Sequence, residues 1–322
     1  MTTNSDHLRT RERATAAPRD LASPSAEPRR GVAGGNRNSD HRATVRRRRR
    51  KKAIKHGFAI ATLSLWSIFA LAPIAWIFMM SLKTPGDIVV YPPKFVFTPT
   101  LDNYAEVFSG PEFMTPFVNS LIVTIGALLL TLVIGLPTAY ALARFKFKGG
   151  ENIAFGILSL RFAPELLIIL PLYLLYQQVG LYDNYLGLIL AYQLVTLPML
   201  VWMLRSFIED LPIELEEAVA VDGGTRWTAF RHVLFRLIAP GLGASLMLSF
   251  IWAWNSYTLP LVLSGRNTQV ITTGIQQYIS FQSIDWGPMA AATVVSLIPG
   301  ILFALFALRW IVGGLTAGTV KG

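Results

Sequence analysis

The chain has 322 residues, of which 52% are hydrophobic and 15% are charged. Soluble domains carry about 25% charged residues, so this composition excludes an ordinary soluble protein and predicts a polytopic membrane protein. The formal net charge is +10, and the chain contains no cysteine, which excludes disulfides, thiolate metal sites and cysteine nucleophiles.

The basic character belongs to the N-terminal tail alone. Residues 1–57 hold 16 Lys/Arg and 5 Asp/Glu, whereas the rest of the chain holds 13 and 14. Residues 1–45 have few large apolar side chains and are predicted to be disordered. The basic cluster at residues 46–55 directly precedes the first apolar run, which favours a cytoplasmic topology anchor over a nucleic-acid site. We therefore predict a disordered basic cytoplasmic tail, residues 1–56, and a transmembrane domain, residues 57–322.

Six apolar runs are each long enough to cross a hydrocarbon layer of about 30 Å as a helix. They are residues 58–82, 117–141, 153–176, 185–203, 237–263 and 287–308. The loop after the second run carries Arg144, Lys146 and Lys148, and Arg205 follows the fourth. Six spans put both termini and these basic residues on the cytoplasmic side, in agreement with the positive-inside rule. The predicted fold class is an all-α membrane protein with six transmembrane helices.

The third run contains two charged residues, Arg161 and Glu165. They are four residues apart, so on a continuous helix they share one face and can form an ion pair. Charges inside a bilayer are costly unless they are paired or face water, and they commonly mark functional sites. A structural ion pair and a polar patch lining a solute path both remain open here.

A polar segment, residues 214–240, lies between the fourth and fifth runs. It is predicted to form two short helices joined by a hinge. Pro212 suits the first turn of the first helix, Asp222-Gly223-Gly224 is a helix stop, and Thr225 can cap the second helix. The second helix places several apolar residues at spacings of three and four, which predicts one face that needs a partner. These residues are Trp227, Phe230, Leu234 and Leu237.

The fifth run ends in an aromatic and polar stretch. Aromatic faces combined with amide and hydroxyl groups are the side chains that suit a sugar ring. Spacings of three predict two adjacent stripes, Trp252 with Asn255 and Trp254 with Tyr257. The alternative is a set of interfacial aromatic residues with one asparagine that packs between helices.

The motif at residues 217–223, EAVAVDG, resembles the EAA loop of ABC-importer permeases. The sequence of this motif is most similar to that of the carbohydrate-uptake, maltose-type permeases, whose usual form is Glu-Ala-Ala-x-x-Asp-Gly. Val219 and Arg236 depart from that pattern, since alanine and proline are usual there. Residues 101–104, 252–257 and 309–322 also resemble segments of this family, and the resemblance covers residues 58–322.

This resemblance implies an EAA coupling loop between helices four and five that docks on a separate ABC ATPase dimer. The implied ATPase-coupling residues are Glu217, Ala218, Asp222, Gly223, Trp227 and Phe230. Lys321 is a second candidate contact, and a frayed terminus is the open alternative. The implied substrate-pathway residues are Arg161, Glu165, Trp252, Trp254, Asn255 and Tyr257.

The implied function is import of a sugar or oligosaccharide through a bacterial cell membrane, without an ATPase site in this chain. No Gly-x-x-x-x-Gly-Lys-Ser/Thr phosphate loop occurs in the sequence, so ATP and Mg²⁺ are expected on the partner ATPase. The other implied partners are a second, different permease subunit and an extracytoplasmic solute-binding protein. The latter is expected to dock over residues 83–112 and 263–286.

Three alternatives remain open at this stage. The first is an ABC permease for a polyol, phosphate ester or peptide. An ion-coupled secondary carrier would need acidic residues in more than one span, and only Glu165 qualifies. A membrane-anchored nucleic-acid-binding or scaffold protein would depend on the basic tail, so that deletion of residues 1–45 would abolish its function.

Overall fold

A computed structural model describes the backbone of residues 37–280 and 284–318 and the side chains of residues 55–280 and 284–308. The helices, in chain order, are α1 (Arg37–Ser81), α2 (Pro85–Ile88), α3 (Asp102–Ser109), α4 (Pro111–Arg144), α5 (Gly150–Ser159), α6 (Glu165–Val179), α7 (Tyr185–Glu209), α8 (Glu214–Val221), α9 (Arg226–Ala229), α10 (Phe235–Trp254), α11 (Thr258–Leu263), α12 (Ile271–Gly274) and α13 (Trp286–Gly318). A π-helical turn, Phe230–Leu234, joins α9 to α10, and a 3₁₀ turn, Ile275–Tyr278, follows α12.

The chain divides into two compact units, Met1–Trp66 and Ser67–Gly322. In the first unit α1 begins at Arg37, so residues 37–56, which were assigned to the disordered tail, are helical. The prediction for residues 1–36 and the candidate contact Lys321 lie outside the described residues. All elements from α2 onward belong to the second unit.

Among the described residues, five helical segments are long and apolar enough to cross a membrane. They are Lys55–Ser81, Pro111–Arg144, Tyr185–Glu209, Arg226–Trp254 and Trp286–Leu308. The all-α membrane fold is therefore confirmed, and so are the first, second, fourth and sixth predicted spans.

The third predicted span is not one continuous helix. It is split into α5 and α6 by a turn at residues 160–164. Pro164 has no N–H to donate, and a proline also disfavours helical backbone at the residue before it. The 15 residues of α6 extend only about 22 Å at 1.5 Å per residue, which is short of a full crossing. The described chain thus has five long spans and one broken apolar segment.

The fifth predicted span is wrong at both ends. Helix α10 ends at Trp254, Asn255 caps it, and residues 255–257 separate it from α11. At the other end the helix continues back through the π turn to Arg226. The second helix of the polar segment is therefore continuous with this span and is not a separate short helix.

The π turn also breaks the predicted apolar face. A π turn inserts one residue into the helix, which rotates everything before it by about 100° relative to an uninterrupted α-helix. Leu234 is consequently 1% exposed, whereas Trp227, seven residues earlier, is 67% exposed. Leu237 is also largely exposed. Trp227 and Leu237 therefore do not share the buried face of Leu234.

In the bundle, α7 packs between α4 and α10, and α13 packs on α10. Helices α4 and α7 are joined by a buried hydrogen bond of 2.6 Å between the hydroxyls of Thr131 and Thr196. Separate apolar clusters fill the two ends of the bundle. One contains Tyr176, Tyr192 and Leu263, and the other contains Leu204, Ile208, Leu234 and Ile238. Each end of the bundle therefore has its own packed core beneath its loops.

Candidate functional site

The predicted helix stop and cap after α8 are confirmed. The N–H groups of Gly223 and Gly224 donate to the carbonyls of Ala220 (3.1 Å) and Val219 (2.8 Å), the two bonds of a Schellman ending. Gly223 has φ +81°, which is the left-handed conformation that glycine adopts without strain. The Thr225 hydroxyl accepts the N–H of Thr228 at 3.2 Å. Pro212 lies two residues before α8, outside its first turn.

The turn is tightly packed at its second glycine. A Cβ atom added to Gly224 would lie 2.5 Å from Cγ1 of Val219 and 2.9 Å from the Val219 carbonyl oxygen. Val219 is the position where the permease motif usually has alanine. The larger valine therefore fills space that a side chain at residue 224 would need.

We call residues 214–230 the elbow. Its first helix is fastened to the end of α4 by a half-buried cluster that we call the inner latch: Tyr140, Arg144, Leu211 and Glu216. Nε of Arg144 donates to Glu216 Oε1 at 2.6 Å, and the Tyr140 hydroxyl donates to Glu216 Oε2 at 2.8 Å. Nη2 of Arg144 also donates to the Leu211 carbonyl at 3.0 Å. The Arg144 and Glu216 side chains are only 8% and 12% exposed, so two largely buried charges neutralise each other.

A second ion-pair group lies near the same end of the bundle. Arg205, near the end of α7, bonds Glu209 at 2.6 Å and also pairs with Glu151 at the start of α5. The hydrogen bond from Arg205 lowers the pKa of the exposed Glu151 carboxyl. The Arg226 guanidinium lies over the Phe145 ring, 5.0 Å from its centroid. The latch and this contact bring the predicted cytoplasmic segments 144–148 and 205–226 together.

Most of the predicted coupling residues are exposed parts of the elbow, which we call the elbow surface. Five of them are exposed: Glu217, Ala218, Asp222, Gly223 and Trp227. Phe230 is half-buried, and its ring stacks on Trp227 with centroids 5.6 Å apart and contacts Tyr140 of the latch at 5.4 Å. The sixth residue therefore connects the surface to the latch behind it.

The opposite end of the bundle is closed by Asp183, between α6 and α7. Its carboxylate accepts hydrogen bonds from the backbone N–H groups of Gly265, Asn267 and Thr268, the Asn267 amide and the Thr268 hydroxyl, at 2.8–3.2 Å. We call this arrangement the outer clasp. Burial raises the pKa of Asp183, but the Thr268 hydroxyl and the three backbone N–H groups together outweigh it, and the net effect is a lowered pKa.

Two of the predicted external segments also meet each other. Nδ2 of Asn103, on α3, donates to the carbonyls of Ser81 (2.9 Å) and Lys83 (2.8 Å). Helix α3 packs on α13, and the two are flanked by a small polar notch that includes Glu106, Asp285 and Trp286. The described parts of residues 83–112 and 263–286 therefore lie next to each other at this end of the bundle.

The sequence pattern of the family described as "Binding-protein-dependent transport system inner membrane component" matches residues 132–316. The chain belongs to this family. It is 35% identical over 283 residues to the diacetylchitobiose uptake system permease protein NgcG of Streptomyces coelicolor, covering 87% of this chain and 92% of the relative. It is 35% identical to the trehalose transport system permease protein SugB of Mycobacterium tuberculosis, covering 79% and 93%. It is 34% identical to the maltose/maltodextrin permease MalG of Vibrio parahaemolyticus, covering 84% and 98%.

Solved structures share the fold of this permease. A chain of a bacterial ABC transporter that imports the acidic polysaccharide alginate matches with a TM-score of 0.67 at 21% identity, covering 81% of this chain and 98% of that one. A chain of the MetNI methionine ABC transporter matches with a TM-score of 0.53 at 17% identity, covering 63% and 95%. The permease is thus a multi-pass inner-membrane subunit of an ABC importer, and its resemblance to carbohydrate-uptake permeases is confirmed.

The predicted ion pair of the permease, Arg161 with Glu165, is not formed among the described side chains. The turn at residues 160–164 puts the two residues on different elements, so they do not share a helix face. The Arg161 guanidinium instead stacks on the Trp252 ring, 3.7 Å from its centroid. Glu165 is exposed in the first turn of α6, where an acidic residue is favoured by the helix dipole.

The aromatic stretch of the permease divides between two environments. Trp254 is 7% exposed, stacks on Phe250 at 5.8 Å, and donates its Nε1–H to the Ser296 carbonyl at 3.1 Å. The predicted stripe of Trp254 with Tyr257 is not formed, because Trp254 packs in the core. Trp252, Asn255 and Tyr257 are exposed. The Tyr257 hydroxyl accepts from Gln276 Nε2 at 2.6 Å.

Sequence reasoning missed the latch and the clasp of the permease. Arg144 was interpreted only as a topology charge, and Asp183 was given no role. The partners Arg144 and Glu216 lie 72 residues apart, so no local spacing joins them. The usable signal was an acidic residue, Glu216, beside the motif glutamate and a basic residue at a helix end on the same side of the membrane.

Proposed function

We propose that this permease carries a sugar or oligosaccharide into the cell, using ATP hydrolysed by a separate subunit. The observation that carries the proposal is the elbow surface, an exposed segment that is fastened at its base to the end of a spanning helix. The sugar is supported by relatives named for diacetylchitobiose, trehalose and maltose. This chain supplies no phosphate-binding loop, so ATP and Mg²⁺ belong to the partner ATPase dimer.

The mechanism is mechanical. Closure of the ATPase dimer displaces the elbow surface around Glu217 and Gly223. The elbow is continuous with α10 through the π turn, so its displacement tilts that span and moves the solute site from outward to inward access. The positive-inside rule puts the elbow end, with its basic loop, in the cytoplasm, and both termini on that side.

Two further partners complete the importer. A second, different permease subunit forms the other half of the solute path. An extracytoplasmic binding protein docks on the face formed by residues 83–112 and 263–286. In a solved alginate ABC transporter a periplasmic protein loaded with an alginate pentasaccharide is bound to the complex. The matching chain of that structure shares the fold described here.

The solute passes the turn at residues 160–164. Helix α5 has 10 residues, or about 15 Å, so Arg161 lies well inside a hydrocarbon layer of about 30 Å. A guanidinium at that depth needs water or acceptor groups, and Trp252 occupies only one of its faces. Broken helices commonly line solute sites in transporters. Arg161, Trp252 and Asn255 therefore provide an aromatic surface with hydrogen-bonding groups, with Tyr257 and Glu165 at its margins and Trp254 behind it.

We expect Arg161→Ala to raise the KM of uptake at least tenfold while the ATPase activity of the complex without solute is unchanged, because Arg161 contacts the solute path and not the elbow. Uptake of labelled solute into proteoliposomes measures this effect. Lys148→Ala, which removes an exposed charge from the loop between α4 and α5, is the control and should leave KM unchanged. An unchanged KM in Arg161→Ala would show that Arg161 does not line the solute path.

Co-purification tests the proposal as a whole. A tagged permease extracted in mild detergent should bring an ABC ATPase and a second permease, and the reconstituted complex should hydrolyse ATP faster with a binding protein loaded from a panel of oligosaccharides. If only a binding protein loaded with a polyol, phosphate ester or peptide stimulated ATP hydrolysis, the transported solute would belong to that class and not to the sugars. Uptake that follows an ion gradient without any ATPase in the complex would overturn the proposal.

A further inference from the structure

Glu216 uses both of its carboxylate oxygens, and both donors come from one helix. Tyr140 and Arg144 are four residues apart, so they lie on one face of α4 one turn from each other. Arg144 also holds the Leu211 carbonyl, which precedes α8. The end of α4 thus holds the chain at two points, at Glu216 in the elbow and at Leu211 just before it.

The covalent chain does not provide this connection. Along the chain the elbow continues from α7 at one end and into α10 at the other, and neither path includes α4. The inner latch is therefore a third attachment, made by side chains alone. Helix α4 in turn packs along α7 over much of its length, so a displacement of α4 reaches the centre of the bundle.

Stability alone is a poor explanation for this cluster. A buried ion pair gains little over well-packed apolar groups, because desolvation of both charges offsets their attraction. It does, however, fix one geometry strongly, since any arrangement that separates the partners leaves an uncompensated charge out of water. Such a pair can therefore keep two helices in the same relative position when one of them is displaced.

We propose that Arg144 and Glu216, assisted by Tyr140, are positioning residues that make α4 move with the elbow, so that ATPase closure displaces α4 together with α10. This inference deepens the proposed function and rests on it. With the latch intact, one stroke of the ATPase moves both helices. With the latch broken, the elbow still docks and ATP is still hydrolysed, but the solute site does not switch access.

The test is charge exchange in the reconstituted full complex, with solute transported per ATP hydrolysed as the measurement. Arg144→Glu and Glu216→Arg should each lower that ratio at least tenfold while ATPase activity remains within threefold of wild type. The double variant, which restores an opposite pair, should recover at least half of the wild-type ratio. Glu209→Gln removes an ion pair at the same end without touching the elbow, and it is the matched control with an unchanged ratio.

Spin labels give a second measurement that does not depend on transport. The chain has no cysteine, so one cysteine at each of two exposed residues, Val133 on α4 and Glu214 on α8 outside the coupling motif, can be labelled selectively. Their distance distribution should remain narrow when ATP binds the wild-type complex and should broaden in Arg144→Glu. Equal distributions, or an unchanged transport ratio in both single variants, would overturn the latch. A wild-type complex without ATP-driven uptake would instead reject the proposed function itself.

Discussion

At the inner end of the bundle Glu216 is held by two side chains, whereas at the outer end Asp183 is held mainly by backbone N–H groups. Arg144 and Tyr140 belong to the spanning helix α4, so the inner joint transfers a displacement of the elbow to that span. The donors to Asp183 are part of the chain at residues 265–268 and cannot turn independently. The comparison indicates an inner joint suited to displacement and an outer joint suited to holding two loops at a fixed distance.

The largest expected effect on stability is therefore at the outer clasp. Asp183→Ala removes the acceptor of five hydrogen bonds and should lower the free energy of unfolding by about 3 kcal/mol, after a discount for its partial exposure. Thermal unfolding in detergent should then occur about 5–10 °C lower. Asp87→Ala, which removes an exposed pair with Lys94, is the control and should unfold close to wild type. Wild-type thermal stability in Asp183→Ala would mean that the two ends do not differ in the way described.

A smaller effect is expected from acid. The pKa of Asp183 is lowered in the folded protein, so its contribution is complete above the usual aspartate pKa of about 4 and is lost as the pH falls through the lower folded value. The unfolding temperatures of wild type and Asp183→Asn should differ equally at pH 7 and pH 5 and converge below about pH 4. Measurement of both proteins in the same buffers checks this, and a difference that grows on acidification would contradict the sign.

Local signals in the sequence were sufficient for the turn of the elbow. Gly223 and Thr225 each act within four residues of themselves, through a backbone conformation and a cap, so their roles follow from residue type and spacing alone. The long apolar runs were equally reliable, because crossing a membrane depends on length and hydropathy. Both features depend on short-range physical chemistry.

The breaks and the inner latch were not accessible in the same way. Hydropathy averages over the turn before Pro164, because Leu160 and Phe162 keep the window apolar. The end of α10 at Trp254 was hidden by the apolar residues of α11, although Asn255 and Ser256 are poor residues for a helix interior. Phe250 and Trp254 lie four residues, or one helical turn, apart, and this spacing would have indicated which face of the aromatic stretch is buried. Partners 72 residues apart in the chain, such as Arg144 and Glu216, meet only in the folded bundle.

The close approach of Val219 to Gly224 restricts the residue type that the turn accepts. A Cβ atom at residue 224 would lie 2.5 Å from the valine methyl and 2.9 Å from the valine carbonyl oxygen. Shortening Val219 to alanine would remove the first clash and leave the second, because the carbonyl oxygen belongs to the backbone. The second glycine is therefore required by the helix ending itself, and the valine only tightens a fit that already excludes larger residues.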